Sequence, residues 1–184
     1  MEIVRPTIAR LESYRAGMAR TLEMGSDLNP EYVEDQLKKI ADDAAKFVEL
    51  QEDPDGLGGD VPLPDGSFVP RLPGFTRWIW DGEVCGSINF RWQKGSTELP
   101  DYCLGHIGYG VFPWKRGRGY ATEALGQLLS EVAKLGMPFV EFVTDPENLI
   151  SQKVILKNGG VLHEKFEITP LRGGGEGLRF RIYF

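Results

Sequence analysis

Six residues, Lys115-Arg116-Gly117-Arg118-Gly119-Tyr120, place three cations and two glycines immediately before a helix-forming run. Glycine lets the backbone turn tightly and lets another group approach it closely. A helix begins with N–H groups that have no intrahelical partner, and its dipole is positive at that end. No Asp or Glu occurs from Tyr102 to Thr122, although the chain carries a net charge of -6. Such a turn suits an anion bearing more than one charge, a phosphate or pyrophosphate. The plain alternative is a solvated turn whose cations aid solubility. Other phosphate loops fit less well, because Thr122 stands where a dinucleotide fingerprint needs its third glycine and no G-x-x-x-x-G-K-S/T run exists.

Two ionisable residues are candidates for proton transfer. Glu141 lies inside the apolar run Phe139-Val140-Glu141-Phe142-Val143, where an unpaired buried carboxylate is costly. A solvated sheet edge explains it blandly, and a water-linked general base explains it functionally. His106 is attractive by type, since imidazole titrates near ~6.5. The only cysteines, Cys85 and Cys103, suggest no disulfide framework.

The elements that must position these groups follow from periodicity. Ala121, Ala124, Leu125, Leu128, Leu129, Val132 and Ala133 share one face of a helix that Gly136 can end. Extended runs are expected at Thr76–Trp80 and Val84–Trp92, around the turn Asp81-Gly82-Glu83. Further ones fall at Gly105–Phe112, Phe139–Thr144, Val161–Thr169 and Leu178–Phe184. Strand, phosphate loop, helix and strand in that order imply a parallel pair with a right-handed crossover. Thr7 begins a first helix, and Asn29-Pro30 begins a second that runs to about Leu50. Residues 51–75 hold five prolines and five glycines, so they read as a loop that is either a functional lid or a plain insertion. Its acidic start, Glu52, Asp53 and Asp55, would favour a cationic ligand over an acidic one.

The chain of 184 residues has the length of one domain, 1–184, and is 41% hydrophobic, enough for a core. A pI near 5.1 argues against a general nucleic-acid binder. No run approaches membrane-spanning length and no secretory signal is evident, so the expectation is a cytoplasmic protein with neither nucleic-acid nor membrane partners.

Arg116 to Ala121 also fits Q/R-x-x-G-x-G/A, and with its strand and helix it resembles the acetyl-CoA pyrophosphate loop of the GNAT superfamily of N-acetyltransferases. Asn148-Leu149-Ile150-Ser151 through Lys157-Asn158-Gly159 resembles that family's second motif. The likeness is strong from about 84 to 165 and is closest to uncharacterised predicted acetyltransferases. It implies an α/β fold with a mixed central sheet of six or seven strands, splayed at the cofactor site and flanked by about four helices. It implies acetyl-CoA as donor, no metal, and a primary amine of a small molecule or peptide as acceptor, in a monomer or homodimer. Arg116, Gly117, Arg118, Gly119, Tyr120, Ala121 and Thr122 would hold the pyrophosphate. Gly110, Val111 and Phe112 would present freed backbone to the pantetheine and the thioester, with Asn148 and Ser151 beside it. Gly110 suits such a break, although a strand glycine also serves packing alone. Family bases on this strand match Gly105 and Ile107, and alternation points His106 the other way, towards a structural role. Direct transfer needs no cysteine nucleophile. Ile155 stands where many members carry the Tyr that acts as general acid, and Gly160 where many carry an aromatic. That departure keeps a second class open, an acyl-CoA-binding regulatory domain without turnover. A domain for another nucleotide is a third.

Overall fold

One sheet with two apolar faces needs cover on both sides, and the order of elements provides it. The computed structural model describes residues 1–26, 28–63 and 65–184. The chain opens with β1 (Glu2–Val4) and α1 (Ile8–Glu23), then α2 (Pro30–Asp42) and α3 (Ala44–Glu49). Asn29 caps α2 by accepting from the Glu31 N–H at 2.8 Å, with Pro30 in its first turn. The single helix expected from Pro30 to Leu50 is broken at Asp43. That residue is extended, with φ -156°, and its carboxylate accepts from the Lys46 N–H to restart the helix as α3.

Residues 51–75 are more ordered than a loop of that composition suggests. They contain β2 (Glu52–Asp53), the small hairpin β3 (Val61–Pro62) and β4 (Phe68–Val69), and the start of β5 (Gly74–Trp80). The acidic residues expected to attract a cationic acceptor are engaged within the fold. Glu52 pairs with Arg77, buried Asp53 accepts from the Leu57 and Gly58 N–H groups, and Asp55 pairs with Lys94.

The sheet continues through β6 (Val84–Arg91) and β7 (Ile107–Val111), in the order β1-β5-β6-β7 with β2 on the end of β5, every pair antiparallel. After the glycine turn come α4 (Tyr120–Val132), β8 (Phe139–Thr144), α5 (Leu149–Lys157), β9 (Val161–Glu167) and β10 (Glu176–Tyr183). Strands β8-β10-β9 form a second antiparallel sheet. The expected mixed sheet of six or seven strands is thus two sheets, and the expected parallel pair, β7 with β8, is not a ladder. The two strands are pinned just before β7 begins. There the His106 N–H donates to the Glu141 carbonyl at 2.9 Å, and the Glu141 N–H donates to His106 Nδ1 at 3.0 Å. Beyond that pin they part. Among the described residues five α-helices flank the sheets, against about four expected.

One core joins both sheets to α4 and α5 through Ile88, Leu125, Leu128, Val140, Phe142 and Ile155. The other packs α1–α3 on the far face through Tyr14, Met18, Val33, Phe47, Trp78 and Phe112. Each fully buried large side chain of this kind stabilises by about 1.5–3 kcal/mol.

Gly86 sets how closely β6 and β7 approach. A Cβ there would collide with the Gly110 carbonyl oxygen and lie 2.9 Å from Val111 Cα, and its φ of +148° is itself unfavourable for other residues. Backbone cannot step aside as a side chain can. Gly86→Ala is expected to lower stability by about 3 kcal/mol. Urea unfolding followed by circular dichroism checks this.

Candidate active site

The glycine turn has the form that its composition implies. Strand β7 ends at Val111, one 3-10 turn spans Pro113–Lys115, and α4 starts at Tyr120. Gly117 and Gly119 have φ of +76° and +82°, the left-handed region that favours glycine, and a Cβ at either would meet nothing within 4 Å. The glycines are therefore required by conformation, in front of open space. Gly119 caps α4 without a side-chain hydrogen bond, and the helix's first bond runs from the Glu123 N–H to the Gly119 carbonyl at 3.1 Å. The N–H groups of Tyr120, Ala121 and Thr122 precede that bond and form the positive pole.

The basic residues divide into two kinds. Arg118 is exposed at the turn. Arg116 is exposed too, and its Nε donates to the Val111 carbonyl at 3.0 Å, tying turn to strand. Lys115 is buried, and its Nζ reaches Asp81 Oδ2 at 2.9 Å and Glu83 Oε1 at 2.8 Å. Burial alone would lower its pKa, but those carboxylates outweigh it and hold the ammonium charged. Burial would likewise raise Asp81, and the bonds from Lys115 and from the Tyr120 hydroxyl, at 2.7 Å, pull it well below the usual carboxylate range. Lys115 and Tyr120 thus brace the turn against the β5–β6 hairpin. A salt bridge over so long a sequence separation leaves no local signal, which is why Lys115 reads in the sequence as one of three cations serving the turn.

Where β7 and β8 part, a cleft of about 330 Å³ opens, lined by Gly108, Tyr109, Thr144, Asn148, Ser151 and Ile155, among others. The backbone of β7 alternates across it. The Arg91 N–H bonds the His106 carbonyl at 2.9 Å and the Phe112 N–H bonds the Cys85 carbonyl at 2.8 Å. The bonded pairs with β6 therefore fall at 106, 108, 110 and 112. The N–H and C=O groups of Ile107, Tyr109 and Val111 point the other way, into the gap. Of the three residues expected to offer freed backbone, only Val111 lies outside the bonded pairs with β6, and its carbonyl accepts from Arg116 Nε. Gly110 bonds to β6, while Phe112 donates its N–H to Cys85 of that strand and accepts from the Lys115 N–H at its carbonyl. Asn148 caps α5 by accepting from the Ser151 N–H at 3.0 Å, and both residues line the cleft.

The fold has known counterparts. The family model described as acetyltransferase (GNAT) domain matches residues 29–161, more than two thirds of the chain. The protein belongs to the GNAT acetyltransferases. Among solved structures, it is similar to RimL, described as a ribosomal L7/L12 alpha-N-protein acetyltransferase in complex with coenzyme A. The TM-score is 0.63 with 13% identity, over 99% of this chain and 93% of that one. A putative ribosomal-protein-serine acetyltransferase from Vibrio cholerae gives 0.60 and 16%, over 99% and 92%. The microcin C7 self-immunity acetyltransferase MccE, solved with acetyl-CoA and AMP, gives 0.58 and 12%, over 99% and 91%. At these identities the likeness is one of fold. No curated protein matches the chain in sequence.

In this GNAT domain neither candidate base lines the cleft, as the strand alternation at His106 implied for that residue. Glu141 is 5% exposed, and both its oxygens are taken: Arg179 donates to Oε2 at 3.1 Å and Arg181 to Oε1 at 2.8 Å. Its side chain lies across β8 from the core residues Val140 and Phe142, and it does not line the cleft. The buried carboxylate that looked costly is paired from the next strand, which a reading of β8 alone cannot see. A carboxylate held by two guanidinium groups is an ion-pair anchor, and the reading of Glu141 as general base is withdrawn. His106 is fully buried and stacks on Phe90, and its Nδ1 accepts from the Glu141 N–H. It too is absent from the cleft lining, so its structural reading replaces its place as second candidate. Tyr109 was passed over; it stands two residues from Ile107 and Val111, on the same side of β7, a relation that simple alternation could have exposed.

Burial pushes the His106 imidazole down from 6.5 to about 4, and the nearby Glu141 charge only partly offsets this. The folded state thus binds this proton less readily than the unfolded chain. His106 is expected to contribute stability that is complete above pH 6.5 and lost as pH falls through about 4. The loss is of order 3 kcal/mol, at ~1.4 kcal/mol per unit. His106→Asn keeps an acceptor near the Glu141 N–H without titrating. Urea midpoints measured from pH 7 to pH 4 should fall less for that variant than for the parent, and parallel curves would contradict the assignment.

Proposed function

We propose that the protein transfers an acetyl group from acetyl-CoA to a primary amine by direct transfer. The observation that carries this is continuity. The open, positively poled turn at Gly117–Thr122 leads, through Val111, into a cleft where one strand edge is unshared. A pyrophosphate on the pole and a pantetheine arm along that edge would satisfy both sets of backbone donors. Acetyl-CoA supplies an activated acyl carbon, and this chain's residues hold and orient it. Arg118 and the α4 pole would take the pyrophosphate, and Val111 and Tyr109 would bond the arm with backbone. The similar structures of RimL and of the Vibrio cholerae protein are described as acetyltransferases of ribosomal proteins. They support a peptide or protein amine as one acceptor class beside small amines. No helix among the described residues is long and apolar enough to cross a membrane.

A second reading, an acyl-CoA-binding regulatory domain without turnover, is favoured by particular facts. Ile155 is buried where a phenol is common, and Glu141 and His106 are both committed to structure. Thiol release separates the readings, because a sensor binds acetyl-CoA and releases none when amines are added.

The binding site itself has a direct test. Arg118→Glu reverses an exposed charge at the turn without altering its glycines. Ala121→Leu adds bulk at the second residue of α4. Each is expected to weaken acetyl-CoA at least ~10-fold, about 1.4 kcal/mol, with an unchanged melting temperature. Titration calorimetry measures this. Parental affinity in both variants, or tighter binding of ATP or NAD than of acetyl-CoA, would overturn the assignment.

A further inference from the structure

The cleft contains a hydroxyl pair that the reading above does not use. The Tyr109 hydroxyl lies 2.9 Å from Ser151 Oγ and 3.3 Å from the Ser151 carbonyl, so strand β7 reaches across the gap to the first turn of α5. Tyr109, Ser151 and Ile155 all line the same cleft. Ile155 is four residues beyond Ser151, which puts both on one face of the helix, and it is 1% exposed. The second-motif helix therefore presents a hydrocarbon at 155, while a phenol arrives beside it from the strand opposite.

Other cleft residues are poorer proton donors. Arg91 and Arg172 are guanidinium groups, which do not give up a proton in proteins. The Cys103 thiol is directed to the Gly105 carbonyl at 3.6 Å. Tyr109 combines a proton, a place on the cleft and a partner that can replace what it gives, since either hydroxyl of the pair can be the donor.

We propose that Tyr109 is the catalytic acid, protonating the departing CoA thiolate, with Ser151 resupplying its phenol. This rests on the acetyl-transfer reading. The amine nitrogen forms a bond to the acetyl carbon, and the carbon–sulfur bond breaks with its electron pair going to sulfur. The phenolic proton passes to that sulfur. The proton lost by nitrogen returns to the phenolate oxygen through the Ser151 hydroxyl and solvent, so no further reactant is needed. Burial raises the phenol above its ordinary pKa, and the Ser151 bond offsets this only in part. Its proton is therefore in place throughout the neutral range.

The test has one arm that needs no turnover. With 3,5-difluorotyrosine installed at 109, fluorine NMR follows ionisation of that phenol alone. Adding CoA should move the titration midpoint, and desulfo-CoA, which lacks the thiol, should not. In the second arm, thiol release from acetyl-CoA is measured with hydroxylamine as acceptor, a small amine that needs little help from a base. Tyr109→Phe should lose about 10²-fold in kcat while its acetyl-CoA Kd and melting temperature match the parent. The difluoro variant, with a more acidic phenol, should gain a loss of rate at rising pH that the parent lacks. Parental kcat in Tyr109→Phe, or equal midpoint shifts with CoA and desulfo-CoA, would overturn the proposal. A parent that binds acetyl-CoA but releases no thiol with any amine overturns the acetyltransferase reading, and this proposal with it.

Discussion

The unshared edge of β7 is the constraint on which the rest of the structure depends. Backbone N–H and C=O groups are rarely left without partners in a folded interior, yet β7 pairs only with β6 while β8 belongs to another sheet. Such an edge is tolerable only if the two sheets are held together elsewhere and kept apart here. Both conditions are met within a few residues. The bonds between His106 and Glu141 close the seam below β7, and the core of α4 and α5 spans both sheets on one side. Glu141 is fastened in turn by Arg179 and Arg181 from β10. The residues that looked like catalytic acids and bases are the hinge of the cleft rather than its chemistry.

The same logic explains how an acidic chain maintains a cationic turn. Lys115 is drawn away from the apex of the turn by Asp81 and Glu83, and the Tyr120 hydroxyl bonds the same aspartate. This brace uses residues of the β5–β6 hairpin to hold both flanks of the turn. The positive potential at its apex comes from the helix pole and Arg118. A lysine with two carboxylates contributes position, and its charge is largely cancelled by them.

What was legible in the sequence was whatever depends on neighbours along the chain. The 3.6-residue stripe from Ala121 to Val132, the glycines at 117 and 119 and the Asn29-Pro30 start of α2 each reflect local geometry and stand where expected. Ala133, expected on the same stripe, is exposed in a 3-10 turn beyond α4. The boundaries of β8 also match, because a short apolar run between Pro138 and Asp145 has few alternatives. What was not legible depends on partners far along the chain. Glu141 needs Arg181, 40 residues away, and Tyr109 needs Ser151, 42 residues away. The split of one expected sheet into two belongs to the same class. A strand–helix–strand order implies a parallel pair, and nothing in either strand's composition says that the ladder stops after one register position.

The position of Ile155 can be understood from that split. A phenol at 155 would have to come from α5, and α5 packs into the α4 core, where Ile155 and Val154 are both buried. Gly160 confirms how tight that corner is, because a Cβ there would collide with the Ile155 side chain and lie 2.9 Å from its carbonyl. An apolar side chain at 155 therefore contributes to packing, and the aromatic that often follows the last motif glycine has no room. On β7, Ile107 and Val111 are buried in that same core, and Tyr109 between them is only partly buried. The strand's alternating side chains at 107, 109 and 111 face the α4–α5 layer, and the middle one is long enough to reach Ser151 and keep its polar end at the cleft. Packing thus favours a hydrocarbon at 155, and the partly buried position 109 leaves room for a polar group that reaches the same helix.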